Sequence, residues 1–213
     1  MTIHILGRLA GVAAITLSLA GCIDMTMDVQ VQSETNAKAT VTSTMGKDIY
    51  PMVKASTDSK DKSSSASSEE KGFCEEENST LTENADGSAT CVQVSEGPFA
   101  DLKLNDDGKG ATFTVVSPGQ VRVAFDTSEI KGDLASSTGG DAKEEMDEET
   151  KAMMAAFFEG HSLTLRIGGK EVTETNMDIA SDKTSAEKVI PFLDLINGTV
   201  DLPDELYAVV RVN

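Results

Sequence analysis

Tryptophan is absent, aromatic residues make up 4% of the 213 residues, and histidine occurs twice. So few aromatics leave no stacking platform for bases or sugars. Positive charge is scarce too: 18 Lys and Arg face 36 Asp and Glu, a formal net charge of −18. No basic stripe is available to neutralise phosphates, which excludes nucleic acid as a partner. The same deficit excludes attachment to anionic lipid through charge. Motifs that mark common catalytic and cofactor sites are missing: no His-Glu-x-x-His, no Gly-x-Gly-x-x-Gly, no Walker loop, no Gly-x-Ser-x-Gly elbow. No cofactor is expected. A hydrophobic fraction of 39% still allows a modest core.

What is present begins at the front. Arg8 is followed by an apolar run from Leu9 to Ala20, then Gly21 and Cys22. That run is too short for a hydrocarbon core, which takes about 20 residues. It reads as an export signal over residues 1–21. Leu19-Ala20-Gly21-Cys22 resembles the lipobox of bacterial lipoproteins at all four positions. The resemblance implies diacylglycerol on the Cys22 sulfur, cleavage before Cys22 and acylation of the new amino terminus. Two or three acyl chains hold a protein stably where one does so only marginally. Loss of Arg8 with the leader makes the exported chain more acidic still, so acyl groups and not charge must be its membrane partner. Ile23, rather than Asp, follows the lipidated position. By the enteric sorting rule this points to the periplasmic face of the outer membrane in a Gram-negative host. In another host it would be the outer face of the cytoplasmic membrane.

With Cys22 acylated, Cys74 and Cys91 remain. In an exported domain an even pair reads as one disulfide. Chain entropy assigns the short loop it closes about 3 kcal/mol. The spacing is not Cys-x-x-Cys and no His lies nearby, so a redox or zinc pair is disfavoured. No metal site is expected elsewhere. Asn84-Ala85-Asp86-Gly87-Ser88 and Asn105-Asp106-Asp107-Gly108 lack the alternating carboxylates of a calcium loop, and turn chemistry explains their Asp-Gly pairs.

Residues 23–31 alternate apolar and polar side chains strictly, and Ala39 to Met45 repeat the pattern more weakly after a polar turn, Ser33 to Asn36. Together they predict a hairpin that starts at the lipid anchor. A short helix is expected between Gly46 and Ser56. Residues 56–72, Ser-rich and charged, read as a disordered insertion. Further strands are expected around Val92–Val94, Phe113–Val116, Val121–Phe125, Leu163–Ile167, Val172, Val189–Phe192 and Leu206–Val212. Asp141 and Glu144 form a capping box. Met146, Met153 and Phe157 then recur at helical spacing, widened by Met154 and Phe158, until Gly160. The expectation is a single α+β domain over 22–213: a mostly antiparallel sheet with one long amphipathic helix, about 142–159, on one face.

The alternating segment IDMTMDVQVQSETNAKATVTSTM directly after a lipobox Cys resembles the start of the LppM-type bacterial lipoprotein domain. Gly169 to Asn176, followed by Ser181-Asp182-Lys183-Thr184 and an apolar strand, is similar to that family's C-terminal half. Residues 56–95 depart from the pattern. The resemblance implies an envelope lipoprotein with an α+β module that interacts with lipid, and no catalytic residues to carry over.

Three functions follow in order. The first is a non-enzymatic, membrane-anchored envelope lipoprotein of binding or structural role, its lipid or protein partner unknown. The second is a carrier of a lipid or hydrophobic ligand in a cleft beside Met153, Met154, Phe157 and Phe158, where Met would suit an adaptable apolar groove. The third is a hydrolase using His161, the histidine that remains after the leader is removed, with a remote Ser.

Overall fold

Alternation over residues 23–31 becomes strand β1, Ile23–Val31, and the polar turn returns the chain as β2, Asn36–Met45, antiparallel to it with Val29 opposite Ala39. The Ser33 side chain accepts the Asn36 backbone N–H at 3.0 Å and fixes the turn. The computed structural model describes residues 23–60, 73–75, 78–102, 110–128, 130, 155, 158–197 and 199–212. Helix α1, Tyr50–Lys60, follows β2, then β3 Ser79–Glu83, β4 Ala89–Pro98, β5 Thr112–Ser117 and β6 Gln120–Asp126. After these come β7 Ser162–Gly168, β8 Glu171–Thr175, β9 Asp178–Ile179, β10 Ser185–Pro191, helix α2 Phe192–Ile196 and β11 Glu205–Arg211.

The strands form two sheets. One has seven strands in the order β3-β4-β2-β1-β7-β10-β9; the other has four, β5-β6-β11-β8. All pairings are antiparallel except β1 with β7, which is parallel with Met25, Met27 and Val29 beside Leu163, Leu165 and Ile167. These apolar side chains, with Ala37, Ala39 and Ile190, share one cluster with Val121, Val123 and Phe125 of β6 and with Leu206, Ala208 and Val210 of β11. The core is therefore the space between the sheets. Stacked Phe99 and Phe113 rings, 4.4 Å apart, add a contact between the chain after β4 and β5. Where the chain leaves β7 for the other sheet, a Cβ on Gly169 would sit 2.9 Å from the Val210 Cβ, so glycine permits the close approach.

The α+β expectation is overturned. More than half of the described residues are strand, and the described α-helices, Tyr50–Lys60 and Phe192–Ile196, have 11 and 5 residues. Neither is a long amphipathic helix laid on a sheet. The reason is that β6 and β11 do not extend the first sheet; they build a second sheet that covers its apolar face. Of the helix expected at about 142–159, only Ala155, Phe158 and Glu159 are among the described residues. There the Glu159 N–H donates to the Ala155 carbonyl at 2.9 Å before Gly160 turns the chain at φ 83°. Of the insertion expected at 56–72, residues 56–60 belong to α1 and 61–72 lie outside the described residues. Phe192 starts α2 instead of ending a strand.

Leu165 is fully buried between the sheets while Val189, on the outer face of the same sheet, is half exposed. Leu165→Ala should therefore cost about 2–5 kcal/mol, and Val189→Ala less than about 0.5 kcal/mol. Urea unfolding followed by circular dichroism measures both.

Candidate functional site

Of the functional residues expected from the sequence, the described Phe158, His161 and Cys91 lie near the end of the seven-stranded sheet where β1 starts. Cys22 itself lies outside the described residues, but it is bonded to Ile23, the first residue of β1. Beside this point, one Asp24 carboxylate oxygen accepts the Ser162 backbone N–H at 3.1 Å and the other meets the His161 Nδ1 at 3.2 Å. The His161 backbone N–H donates to the Phe158 carbonyl, and its own carbonyl accepts from the Phe192 N–H, both at 3.1 Å. His161 thus ties the chain before β7 to the start of α2, and Asp24 secures both to β1.

A hydrolytic role for His161 would need a hydroxyl or thiol within hydrogen-bond reach of the imidazole. Among the described residues, the side-chain partner of the imidazole is the Asp24 carboxylate. The arrangement offers an orienting carboxylate with no described nucleophile in line, and its evident work is to hold the register of β1 against β7.

Met153, Met154 and Phe157 lie outside the described residues. Phe158 is buried, its ring tilted against Phe192 with centroids 5.8 Å apart. It is packed against the start of α2. One cavity among the described residues, about 410 Å³, lies at the end of β1 remote from Ile23. It is lined by Glu34, Ser117, Pro118, Gly119, Gln120 and Arg211. Its walls are polar and already engaged: Glu34 accepts the Gly119 N–H at 2.5 Å, and Arg211 is ion-paired with Glu171.

Cys74 and Cys91 are bonded, with Cα atoms 5.4 Å apart. Cys91 lies in β4 opposite Ser43 and Leu81, and the Ser79 hydroxyl donates to the Cys74 carbonyl at 2.9 Å. The bridge fixes the neighbouring Phe73 edge-on to Tyr50, centroids 6.1 Å apart. Tyr50, Met45 and Ala89 form a second, smaller cluster, with Ile49, Val53 and Phe73 packed against it. Over this cluster Glu83 accepts from the Lys54 ammonium at 2.5 Å and from the Tyr50 hydroxyl at 2.6 Å. The Lys54 bond first, and then the Tyr50 bond, hold the Glu83 carboxyl below its ordinary value. Asp86, in the turn between β3 and β4, is lowered by the bonds it accepts from the Ser88 hydroxyl and backbone N–H, at 2.7 and 3.0 Å. Its carboxylate is engaged in turn chemistry.

No family model matches the chain, and no curated protein does. Among solved structures, it is similar to the folded domain of the LppM protein of Mycobacterium tuberculosis, determined by NMR. The identity is 11%, the match covers 90% of each chain, and the TM-score is 0.42. At those values the likeness is one of fold at most and assigns neither ligand nor activity.

Two outcomes follow from this end of the sheet. Cys91→Ser should lower stability by about 3 kcal/mol, and added reductant should then have no further effect; urea unfolding with and without reductant measures it. Because the native Glu83 carboxyl titrates below its unfolded value, the Lys54 and Tyr50 bonds stabilise the fold above the ordinary Glu value of about 4.3. That stability is lost as pH falls through the native value. Glu83→Gln should flatten this acid limb, read as the pH dependence of the urea midpoint.

Proposed function

We propose that the chain is a lipid-anchored envelope lipoprotein whose exported domain acts by binding or structural contact and not by catalysis. One observation carries the reading: Leu19-Ala20-Gly21-Cys22 is followed at the next residue by β1, which has paired strands on both sides in the seven-stranded sheet. A folded domain that starts at an acylatable cysteine leaves no spacer between lipid and protein. The Cys74–Cys91 bond supports export, since such bonds persist in oxidising compartments. The engagement of His161 with Asp24 supports a structural role for the histidine. In a Gram-negative host, Ile23 after the acylated residue favours the outer membrane. No helix among the described residues is long and apolar enough to cross a membrane.

Tritiated palmitate fed to the producing bacterium should label the wild-type protein and not Cys22→Ser. Intact mass should show the mature protein starting at an acylated Cys22. Recovery of a soluble protein with a free thiol at Cys22, or label retained by Cys22→Ser, would overturn the reading.

A further inference from the structure

The seven-stranded sheet has a second face that the core does not use. Residues paired across it from β3 to β10 are Thr80, Val92, Thr42, Thr26, Thr164 and Val189. Thr44 and Thr90 continue the block towards Ile23, their hydroxyls 3.3 Å apart, and Thr40 with Val94 continue it on the other side. All are β-branched and uncharged. Since 25% of the chain is charged and acidic residues outnumber basic ones two to one, this block runs against the composition of the protein. Charge interrupts the two flanking rows, with Asp24 beside Thr44 and Asp28 beside Thr40 on β1, and Arg166 bonded to Glu187 across β7 and β10.

The block also lies beside the acyl anchor. A chain spans at most about 3.3–3.6 Å per residue, which puts the Thr26 Cα within about 14 Å of the Cys22 Cα.

We propose that this threonine–valine face is the surface that rests on the lipid headgroup layer. Its hydroxyls bond to headgroup phosphate and glycerol-ester oxygens while the acyl chains on Cys22 hold it in place. The proposal rests on the lipid-anchor reading above. Three observations select a bilayer over other occupants. The tether is attached to a strand of this very face, so weak contacts act at high effective concentration. The chain as a whole, at a formal charge of −18, is repelled by anionic headgroups, whereas the ten residues of this block are uncharged and the carboxylates nearest them are Asp24 and Asp28, on either side of Thr26. Its area suits no stable homodimer: ten side chains, each taking about 4.8 Å across the strands and about 6.6 Å along them, cover on the order of 300 Å², against about 800 Å² per partner in a standard complex. A flat sugar polymer is disfavoured because the block contains no aromatic ring. Hydroxyl contacts, unlike lysine contacts, do not depend on counterions, and salt screens the repulsion of the acidic body, so added salt should not weaken docking.

The test uses the whole mature protein, acylated at Cys22, in phosphatidylethanolamine–phosphatidylglycerol vesicles. A polarity-sensitive fluorophore is attached to single cysteines at Thr42→Cys and Val92→Cys on the face, at Val115→Cys on β5 of the other sheet, and at Met52→Cys on α1. Thr164→Cys replaces either face variant if it does not fold. Acrylamide quenching should be several-fold weaker at positions 42 and 92 than at 115 and 52, at low and high salt alike. Headgroup-nitroxide lipids should quench 42 and 92 and spare 115. Equal exposure at 42 and 115 in protein that carries labelled palmitate would overturn the face and leave the anchor standing. Shielding at 52 in place of 42 would mean an end-on stance, and shielding that scales with protein density without nitroxide contact would mean a second copy; either overturns the proposal. Protein without palmitate at Cys22 would remove the anchor reading and this proposal with it.

Discussion

The parallel ladder between β1 and β7 is the constraint on which the architecture depends. On one side of it stand β3, β4 and β2, all from the first half of the chain; on the other stand β10 and β9, from the second half. Among the described strands, no other pairing joins these two groups into one sheet. The ladder is long-range and must close a large loop of chain before it gains anything. What offsets that cost is a row of matched apolar side chains: Met25 beside Leu163, Met27 beside Leu165 and Val29 beside Ile167, all facing the second sheet. Asp24 secures the start of the ladder through its bonds to His161 and Ser162, 137 and 138 positions away in sequence. A shift of one residue would turn the β1 side chains to the wrong face. It would also separate the carboxylate from both partners.

Local structure was readable where a single segment carried its own instruction. Strict alternation from Ile23 to Val31, a polar turn and a second alternating segment are enough to specify a hairpin, and β1 and β2 form it with the expected turn. Cys74 and Cys91 were readable by elimination once Cys22 was assigned to lipid. What could not be read was which sheet each strand joins. Alternation says that one face of β6 or β11 is buried, not what buries it. A helix on the sheet and a second sheet satisfy the same pattern, and the second sheet is what forms. The short strand β3 holds Leu81 as its one apolar residue among Ser, Thr and Glu, and β9 has two residues, so neither presents a period to detect. The candidate site divides in the same way. His161 stood out by its rarity, but its meaning came from Asp24, a contact that no local pattern encodes. The outer threonine–valine face is invisible in any one strand and exists only once six strands are placed in register.

The disulfide falls where the fold has least else to hold it. The main cluster draws buried residues from both sheets, whereas the second cluster has three, Met45, Tyr50 and Ala89. Apolar burial of that size returns little against the entropy of ordering α1 and the chain around Phe73. A cross-link that restricts the unfolded chain acts where burial is weak. The polar cap of Glu83 on Lys54 and Tyr50 adds to it, but this carboxylate is solvent-accessible, so its contribution is screened and small. The end of the sheet where β1 starts is therefore covalently stapled, while the opposite end relies on packing and turn hydrogen bonds. The staple joins β4 to the chain that follows α1; β2 lies between β4 and β1, so the cross-link secures the flank of the sheet at the end where β1 starts.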